Sequence, residues 1–447
     1  MRTTPSSQDW TSQSPSEGPK AEVEGEVPHD TPPTHPVRRP HRHDQSSRWP
    51  QFSPISSAVA AVATVALIVG LISVILLHSG RSSAPSRVAS TATSATALGS
   101  QAHFVDIQMV TPTDGWAVGY RAVVNQRQSS PLLARVANGK WTPVEVAYGG
   151  PLVTIAAISS DDIWAGGMPG TMLHYDGAAW RSVKSPSTGS ISRIAMVGPS
   201  AGWAVGDPID QHSGAFILHY DGFAWVQQAA PQLNGFVHLT DISMLSAQDG
   251  WAAGTVYPYN GSPASGVLLH YRQGRWLVAT TLPSTTIRSI AMLSDTQGWA
   301  VGSHDTYETS SEGTRASHTA MLLRYAGGHW ELAPTPTDSS AVFGTIPFVS
   351  SDDGWIVGGA PVGSAQSNGL LLLHYTGGRW TQIDGPPSAH GEGHSIDQAV
   401  AYAGGELWLA GSQNVQLAQQ SAGQPSLPTS MPFLAHYTAG QWILVTQ

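Results

Sequence analysis

Two strings, 202-GWAVG-206 and 218-LHYDGFAW-225, recur with variations seven times along the chain and decide its architecture. Each repeat contributes one tryptophan from each string, so fourteen of the sixteen tryptophans form seven ordered pairs. The first members are Trp116, Trp164, Trp203, Trp251, Trp299, Trp355 and Trp408; the second members are Trp141, Trp180, Trp225, Trp276, Trp330, Trp380 and Trp442. First members recur every 39 to 56 residues, a period typical of solenoids and propellers. The repeats have β-type patterns and lack a helical stripe, which favours a propeller.

Each repeat contains four candidate strands, which we call A to D. Strand A is an alternating string such as 286-TIRSIAML-293, strand B is the W-A-V-G string, strand C the L-L-H-Y string and strand D carries the second tryptophan. The sequence therefore predicts an all-β, seven-bladed propeller of four-stranded antiparallel blades at residues 101–447. Because every repeat supplies its own four strands, we expect the ring to close by packing between blades.

The repeated tryptophans are predicted to be core residues. A blade cannot bury its faces alone, so bulky residues at one register wedge between neighbouring blades.

Length variation between repeats is concentrated in one connection. From a second tryptophan to the next first one there are always 23 to 28 residues, whereas the two members of a pair lie 16 to 34 residues apart. The B–C connections therefore vary. In a four-stranded blade they share one face with the D–A connections, which we call the B–C face. The A–B and C–D turns lie on the opposite A–B face. Variable loops on a rigid scaffold commonly carry function, so recognition is predicted on the B–C face.

The segment before the repeats predicts a membrane anchor. Residues 55–77 form an uncharged apolar run long enough to span a bilayer as a helix. Residues 1–54 are predicted to be a disordered cytoplasmic tail, whose basic cluster 37–43 could also touch anionic lipid headgroups, and residues 78–100 a flexible stalk. Arginines are more numerous before the span than after it, which places the N-terminus in the cytoplasm and the propeller outside. They are Arg38, Arg39, Arg42 and Arg48 before it, and Arg81 and Arg87 after it.

Composition excludes several classes of function. The formal net charge of −9 argues against nucleic acid as a partner, because phosphate binding needs a basic face. The chain has no cysteine, which removes disulfides, thiolate metal sites and cysteine nucleophiles. No dinucleotide or nucleotide motif occurs, and no cofactor is expected.

The paired strings resemble the repeats of BNR/Asp-box propellers, and in particular those of photosystem II assembly-factor-type propellers. The resemblance covers residues 101–447 and implies a seven-bladed propeller. The turn aspartate of that family is present only as Asp176 and Asp221, and His-Tyr replaces the preceding Ser/Thr. A kelch-like propeller is a looser alternative. Asp-box propellers include sialidases, but the arginine-bearing F/Y-R-I-P string of those enzymes does not occur here.

Repeated polar residues are predicted to be structural. The histidines of the H-Y string lie too far apart around a propeller to share a metal, so a structural hydrogen bond or packing between blades is expected for them. The carboxylates of the A–B turns could form a calcium-binding ring, but local backbone hydrogen bonding is the favoured role. His390 and His394 occur in one repeat only. With Glu392 and Asp397 they could bind a divalent metal, yet the adjacent glycines favour a polar loop, and no metal site is predicted.

Two hypotheses for function follow. The first is a membrane-anchored extracytoplasmic binding or assembly module for a protein, a peptide or a glycan. The second is a hydrolase or lyase with its site at the central mouth of the B–C face, which requires ionisable residues to converge there. Four long insertions, at about 255–266, 303–319, 359–369 and 412–431, carry the candidate ligand-binding side chains. These are Tyr257, Tyr259, His304, Tyr307 and His318, together with His390 and His394 of the 390–394 loop.

Overall fold

The computed structural model describes nine stretches of the chain. They are residues 102–122, 129–147, 149–209, 214–310, 313–337, 340–360, 369–387, 394–415 and 429–447. The predicted tail, membrane helix and stalk at 1–54, 55–77 and 78–100 lie outside them. Among the described residues, no helix has the length and apolar character needed to cross a membrane.

The described residues form seven antiparallel sheets, each of which is one blade. Blade 1 contains β1 (Ala102–Thr111), β2 (Asp114–Ala122), β3 (Ser129–Ala137) and β4 (Lys140–Pro143). Blade 2 contains β5 (Leu152–Ser159), β6 (Asp162–Gly167), β7 (Met172–Tyr175) and β8 (Trp180–Ser182). Blade 3 contains β9 (Ser190–Gly198), β10 (Ala201–Asp207), β11 (Phe216–Tyr220) and β12 (Trp225–Gln227). Blade 4 contains β13 (Phe236–Met244), β14 (Asp249–Tyr257), β15 (Ser265–Arg272) and β16 (Arg275–Pro283).

The last three blades repeat this order with one variation, in blade 6. Blade 5 contains β17 (Thr285–Met292), β18 (Gly298–Ser310), β19 (Gly313–Ala326) and β20 (His329–Ala333). Blade 6 contains β21 (Val342–Thr345), β22 (Phe348–Ser350), β23 (Asp353–Gly359), β24 (Leu370–Thr376) and β25 (Arg379–Gln382). Blade 7 contains β26 (His394–Tyr402), β27 (Glu406–Val415), β28 (Thr429–Thr438) and β29 (Gln441–Leu444). In blade 6 strand A is split, since β21 and β22 both pair with β23.

Each blade is built from consecutive strands of one repeat, which confirms the predicted seven four-stranded blades. Successive A strands contact one another, and β26 of blade 7 contacts β1 of blade 1, so the ring is closed. One backbone link crosses that closure: the N–H of Trp141 donates to the carbonyl of Thr446 over 2.9 Å. Closure therefore combines packing between blades with a single parallel bridge from Thr446 to Lys140.

The paired tryptophans hold neighbouring blades together, as predicted. Trp116 of blade 1 meets Trp180 of blade 2 edge-to-face at 5.3 Å, and Trp164 meets Trp225 of blade 3 at 5.5 Å. All seven first tryptophans are buried, Trp203 and Trp355 completely. Each apolar cluster combines residues of two adjacent blades, so the core is a ring of seven interfaces.

The expected insertion at 303–319 is ordered β-structure rather than an irregular loop. Strands β18 and β19 extend beyond the blade as a hairpin whose pairing runs to Ser310 and Gly313. Its base is anchored, because the N–H of Asp305 donates to the carbonyl of Ser284 over 2.7 Å. Insertion here lengthens a blade instead of adding a separate loop.

Candidate functional site

Every strand A carries a β-bulge at the same position. In blade 1 the register with strand B shifts between Phe104 and Asp106, and in blade 5 between Ile287 and Ser289. A bulge places two residues opposite one, so both side chains leave the usual alternation. The sequence encodes it as two residues between apolar ones, as in 104-FVDI-107 and 287-IRSI-290.

The last glycine of the W-A-V-G string makes this bulge possible. A Cβ at Gly119 would lie 1.9 Å from the carbonyl oxygen of His103, and one at Gly302 would lie 1.9 Å from that of Thr286. The five other blades have an equivalent glycine with the same close approach. The motif therefore specifies the geometry of the inner strand as well as the hydrophobic core.

The first bulge residue of each blade lines the central channel. The seven residues are Val105, Val153, Ser192, Thr240, Arg288, Gly344 and Asp397. They surround a cavity of about 320 Å³, together with Met168, Asp207 and His238. Blades 1 and 2 contribute apolar side chains and blades 3, 4, 5 and 7 polar ones, so the cavity has one apolar wall and one polar wall.

The second bulge residue ties its blade to the next one. The carboxylate of Asp106 accepts a hydrogen bond from the N–H of Ile155 over 2.8 Å. The Thr154 hydroxyl accepts one from the N–H of Ile194 over 3.1 Å, and Asp241 one from that of Ile290 over 2.9 Å. These bonds fix the position of the channel-lining side chains relative to one another.

A buried ion cluster crosses the channel wall between blades 1, 3 and 4. Arg193 Nη1 lies 2.9 Å from Asp106 Oδ2, and Arg193 Nε lies 3.3 Å from Asp241 Oδ1. Burial raises the pKa of Asp106, while the Arg193 guanidinium and two backbone N–H groups act against that rise. Arg193 is therefore engaged by the protein itself and holds three blades in register.

Four further ionisable groups line the cavity. The imidazole Nδ1 of His238 shares a hydrogen bond with the carboxylate of Asp207. Arg288 is exposed to the channel, and within the described part of the chain no hydrogen bond or ion pair engages it. Asp397 is also exposed to the channel, and its partial desolvation by the channel wall raises its pKa to about 6.

Ionisable residues thus converge at the channel, as the enzyme hypothesis requires. They come from inner strands and from the end of one strand B, whereas the prediction was that loops would supply them. Arg193 and Arg288 were missed because strand A was treated as regular, and Asp207 and His238 because neither lies in a long insertion. The departure from alternation in each strand A was the signal that could have identified the site.

The predicted tyrosines of blade 4 are exposed on the B–C face. Tyr257 ends β14 and Tyr259 follows in the B–C connection, with 45% and 48% of their surfaces exposed. The Tyr257 ring stacks on Phe236 at 6.3 Å. Neither tyrosine lines the central cavity.

Three predicted residues belong to blade 5. His304 lies in β18 and lines a separate apolar groove of about 550 Å³, along with Pro283, Met321 and Leu332. His318 Nδ1 lies 2.8 Å from the buried carboxylate of Asp305. Tyr307 lies in β18 opposite Ala316.

Of the two predicted binding histidines of blade 7, the structure describes one. His390 lies outside the described residues. His394 begins β26 and is buried against Phe433, with ring centroids 4.3 Å apart. Among the residues that the structure describes, no three His, Asp or Glu side chains are grouped so as to hold a metal ion.

The repeated histidines and turn carboxylates form one structural device. His270 stacks on Trp251 at 3.9 Å, and its Nε2 lies 2.8 Å from the carboxylate of Asp249. His174 with Asp162, and His374 with Asp353, repeat this arrangement. The histidine prediction is confirmed. The aspartates orient an imidazole over the tryptophan, a role that was not predicted, and Asp353 also accepts hydrogen bonds from the backbone N–H groups of Gly404 and Gly405 over 3.2 Å.

No protein-family model matches the chain, and no curated protein matches it. Solved structures of other propellers are similar. A structure of YCF48 bound to D1 peptide is 16% identical with a TM-score of 0.47, covering 71% of this chain and 91% of that one. The WD40 beta propeller domain of Doa1 is 12% identical with a TM-score of 0.46, covering 70% and 90%. YCF48 from Cyanidioschyzon merolae is 14% identical with a TM-score of 0.40, covering 62% and 96%.

Proposed function

We propose that this chain is a membrane-anchored, extracytoplasmic binding module that takes a protein or peptide segment at the B–C face, over the mouth of the central channel. The observation that carries the proposal is the set of first bulge residues, which places two apolar, two hydroxyl and two charged side chains around one cavity. A repeat scaffold that needed only stability would gain nothing from making these seven positions chemically different.

The polar wall of the cavity suits a peptide segment. Arg288 offers a guanidinium that the described part of the chain does not use, and guanidinium groups bind carboxylates and carbonyls through paired hydrogen bonds. Val105, Val153 and Met168 supply an apolar wall opposite it. Tyr257 and Tyr259 lie on the same face and provide large contact area at the rim.

Selection of a random dodecapeptide library on the full-length protein tests this function. Enriched peptides should lose at least tenfold in affinity on Arg288→Ala, because the exposed guanidinium is removed without disturbing an internal contact. The matched control is Arg379→Ala, an exposed arginine of β25 at a C–D turn on the A–B face. Peptides that bind both variants as tightly as the unaltered protein would place recognition elsewhere.

Membrane anchoring rests on the apolar run 55–77 and the arginine bias around it. Protease added to intact cells should remove the region after residue 80 and leave the N-terminal tail protected. Digestion of the tail with protection of the repeats would reverse the proposed orientation and its extracytoplasmic partners.

A hydrolase is the second candidate, and one observation favours it. His238 lines the cavity, and Asp207 on its Nδ1 leaves Nε2 as the nitrogen that could take a proton from a substrate or water. p-Nitrophenyl acetate is a simple probe: turnover by the full-length protein that His238→Gln abolishes would support a hydrolase. Turnover that is absent, or that persists in the variant, removes His238 from this role.

A further inference from the structure

One of the seven interfaces between blades lacks a tyrosine that the other six share. In those six, the Tyr of the H-Y string contacts the first tryptophan of the preceding blade. Tyr175 lies 5.1 Å from Trp116, and Tyr325 lies 5.0 Å from Trp251, measured between ring centroids. The remaining four pairs are Trp164–Tyr220, Trp203–Tyr271, Trp299–Tyr375 and Trp355–Tyr437, at 4.9 to 5.7 Å. Blade 1 has Val136 at this position, facing Trp408 of blade 7.

A cleft lies against Trp408 at the interface that lacks this tyrosine. Between blades 5 and 6, Trp299 and Tyr375 border a cavity of only about 30 Å³. At the equivalent place between blades 7 and 1 the cavity measures about 460 Å³. Its lining includes Pro112, Asn138, Glu406, Trp408, His436 and Ile443. It lies on the A–B face, at the outer side of the ring closure, so it is distinct from the channel mouth.

The walls of this cleft include the stacked histidine and carboxylate that blades 2, 4 and 6 also place on their first tryptophan. His436 stacks on Trp408 at 4.3 Å and 12°, as its counterparts do in other blades. Glu406 occupies the place of the aspartates that hold the stacked histidines in other blades, such as Asp249. Its Oε2 lies 3.3 Å from His436 Nε2, and its Oε1 lies 2.7 Å from the Thr438 hydroxyl. The hydroxyl of the internal Tyr175 donates to the backbone carbonyl of Gly177 at the C–D turn over 3.0 Å, and Asn138 holds the equivalent place in blade 1.

We propose that the cleft between blades 7 and 1 is a binding site for a tyrosine side chain of a partner protein. The six internal interfaces show that a tyrosine ring fits beside the first tryptophan of the preceding blade. The phenol ring would pack on Trp408 as Tyr175 packs on Trp116, with its hydroxyl directed to the turn carbonyl of Asn138, as that of Tyr175 is directed to Gly177. Aromatic pairs in such offset or tilted arrangements gain stability beyond the area they bury.

The experiment uses p-cresol, which is the tyrosine side chain as a free molecule, and titrates it into the full-length protein with detection by saturation-transfer NMR. We expect one saturable site. Val136→Tyr should abolish it, since the chain then fills its own cleft. Absence of saturable binding, or binding unchanged in Val136→Tyr, would overturn the proposal.

A second variant guards against misfolding of the first. Tyr375→Val removes an internal tyrosine beside Trp299 and should create a second p-cresol site of the same kind. Failure to gain that site, in a variant that still folds, counts against the proposal because the internal interfaces would then not be a template for the cleft.

Two further probes identify the occupant. 4-Methylcyclohexanol has the size of p-cresol without the aromatic ring, and equal binding of both would show an unspecific apolar groove. Acetyl-Gly-Gly-Tyr-Gly-Gly-amide should compete with p-cresol at least tenfold more effectively than the same peptide with Leu. Equal competition would exclude a tyrosine of a partner protein as the ligand.

Discussion

At the scale of single residues, each first tryptophan is held by three groups with separate roles. The histidine or arginine that pairs with it on strand C covers one face of the indole. For the five histidines, the ring centroids lie 3.9 to 4.6 Å apart. A carboxylate at the start of strand B orients that group in blades 1, 2, 4, 6 and 7. The next blade supplies aromatic rings against the other side. The tryptophan is thereby fixed within its own blade before it forms an interface.

Trp203 is the most stringent test of this packing because it is completely buried. Replacement by Ala should cost about 3–5 kcal/mol of unfolding free energy, through lost apolar contact and a residual cavity. The urea midpoint measures the loss. Phe223→Ala is the control, since that ring is 94% exposed and its removal should leave the midpoint unchanged. Equal midpoints for both variants would contradict the role given to Trp203.

Asp397 predicts a pH dependence of stability. Its pKa is raised from 3.8 to about 6 in the folded chain, so the folded state holds this proton more tightly than the unfolded state. The carboxyl therefore lowers stability above pH 6, and the penalty disappears as the pH falls from 6 towards 3.8. Asp397→Asn should raise the urea midpoint at pH 7.5 and lose this advantage by pH 4. Asp295→Asn, at an exposed turn, should show no such pH-dependent gain.

At the scale of elements, the inner strand explains what could be read from the sequence and what could not. Alternation of apolar residues located strand A, and the W-A-V-G string located strand B. The bulge interrupts that alternation by one residue, so the side chains it places in the channel could not be assigned to a face by period alone. Arg193 and Arg288 illustrate the difference: Arg193 is the second bulge residue of blade 3 and joins an ion cluster, whereas Arg288 is the first bulge residue of blade 5 and lines the channel.

The ion cluster of Arg193 should be sensitive to the loss of one partner. Arg193→Met leaves Asp106 and Asp241 buried without their shared cation and should cost about 3–5 kcal/mol. Combining it with Asp106→Asn and Asp241→Asn should recover part of that loss, because the uncompensated charges are removed. Arg288→Met is the control and should leave stability unchanged. If the triple variant loses as much stability as Arg193→Met, then packing, and not charge, dominates the effect of the substitution.

The hairpin of β18 and β19 should separate into a structural base and a dispensable tip. Replacing residues 307–315 by Asn-Gly keeps Asp305 and His318 and should leave the melting temperature nearly unchanged, since loop length changes closure entropy little. Asp305→Ala removes the buried carboxylate that pairs with His318 and Ser303, and should lower the melting temperature clearly. The reverse order of these effects would place the structural role in the tip.

At the scale of the whole molecule, the ring closes mainly through packing between blades 7 and 1, with little backbone hydrogen bonding between them. The number and order of the blades could be predicted because each repeat encodes four complete strands. The bridge from Lys140 to Thr446 could not be predicted, since no repeat contains an equivalent segment. The cleft between blades 7 and 1 was overlooked for a related reason, because the exception at Val136 is visible only against the six tyrosines in their interfaces.

Removal of residues 446–447 tests how the ring is held closed. The bridge contributes one backbone hydrogen bond, so its loss should cost only about 1 kcal/mol if packing between blades 7 and 1 carries the closure. Chemical denaturation measures the change. A loss several times larger would show that the bridge, and not the cluster around Trp408, secures the ring.

The sheet topology also sets the order in which the chain can fold. Every strand of the seven sheets pairs within its own repeat, so hydrogen-bonded pairing demands little loop closure. The contacts that cost the most loop-closure entropy join blade 7 to blade 1. One of them is the hydrogen bond from the hydroxyl of Tyr402 to the carbonyl of Met109, which is 293 residues away in sequence. During synthesis, the blades can stack from the N-terminal side as an open arc. The face of blade 1 that packs against blade 7 in the closed ring is then exposed. The last repeat to leave the ribosome completes the ring, and until then that face is an unprotected site for misassembly with another nascent copy.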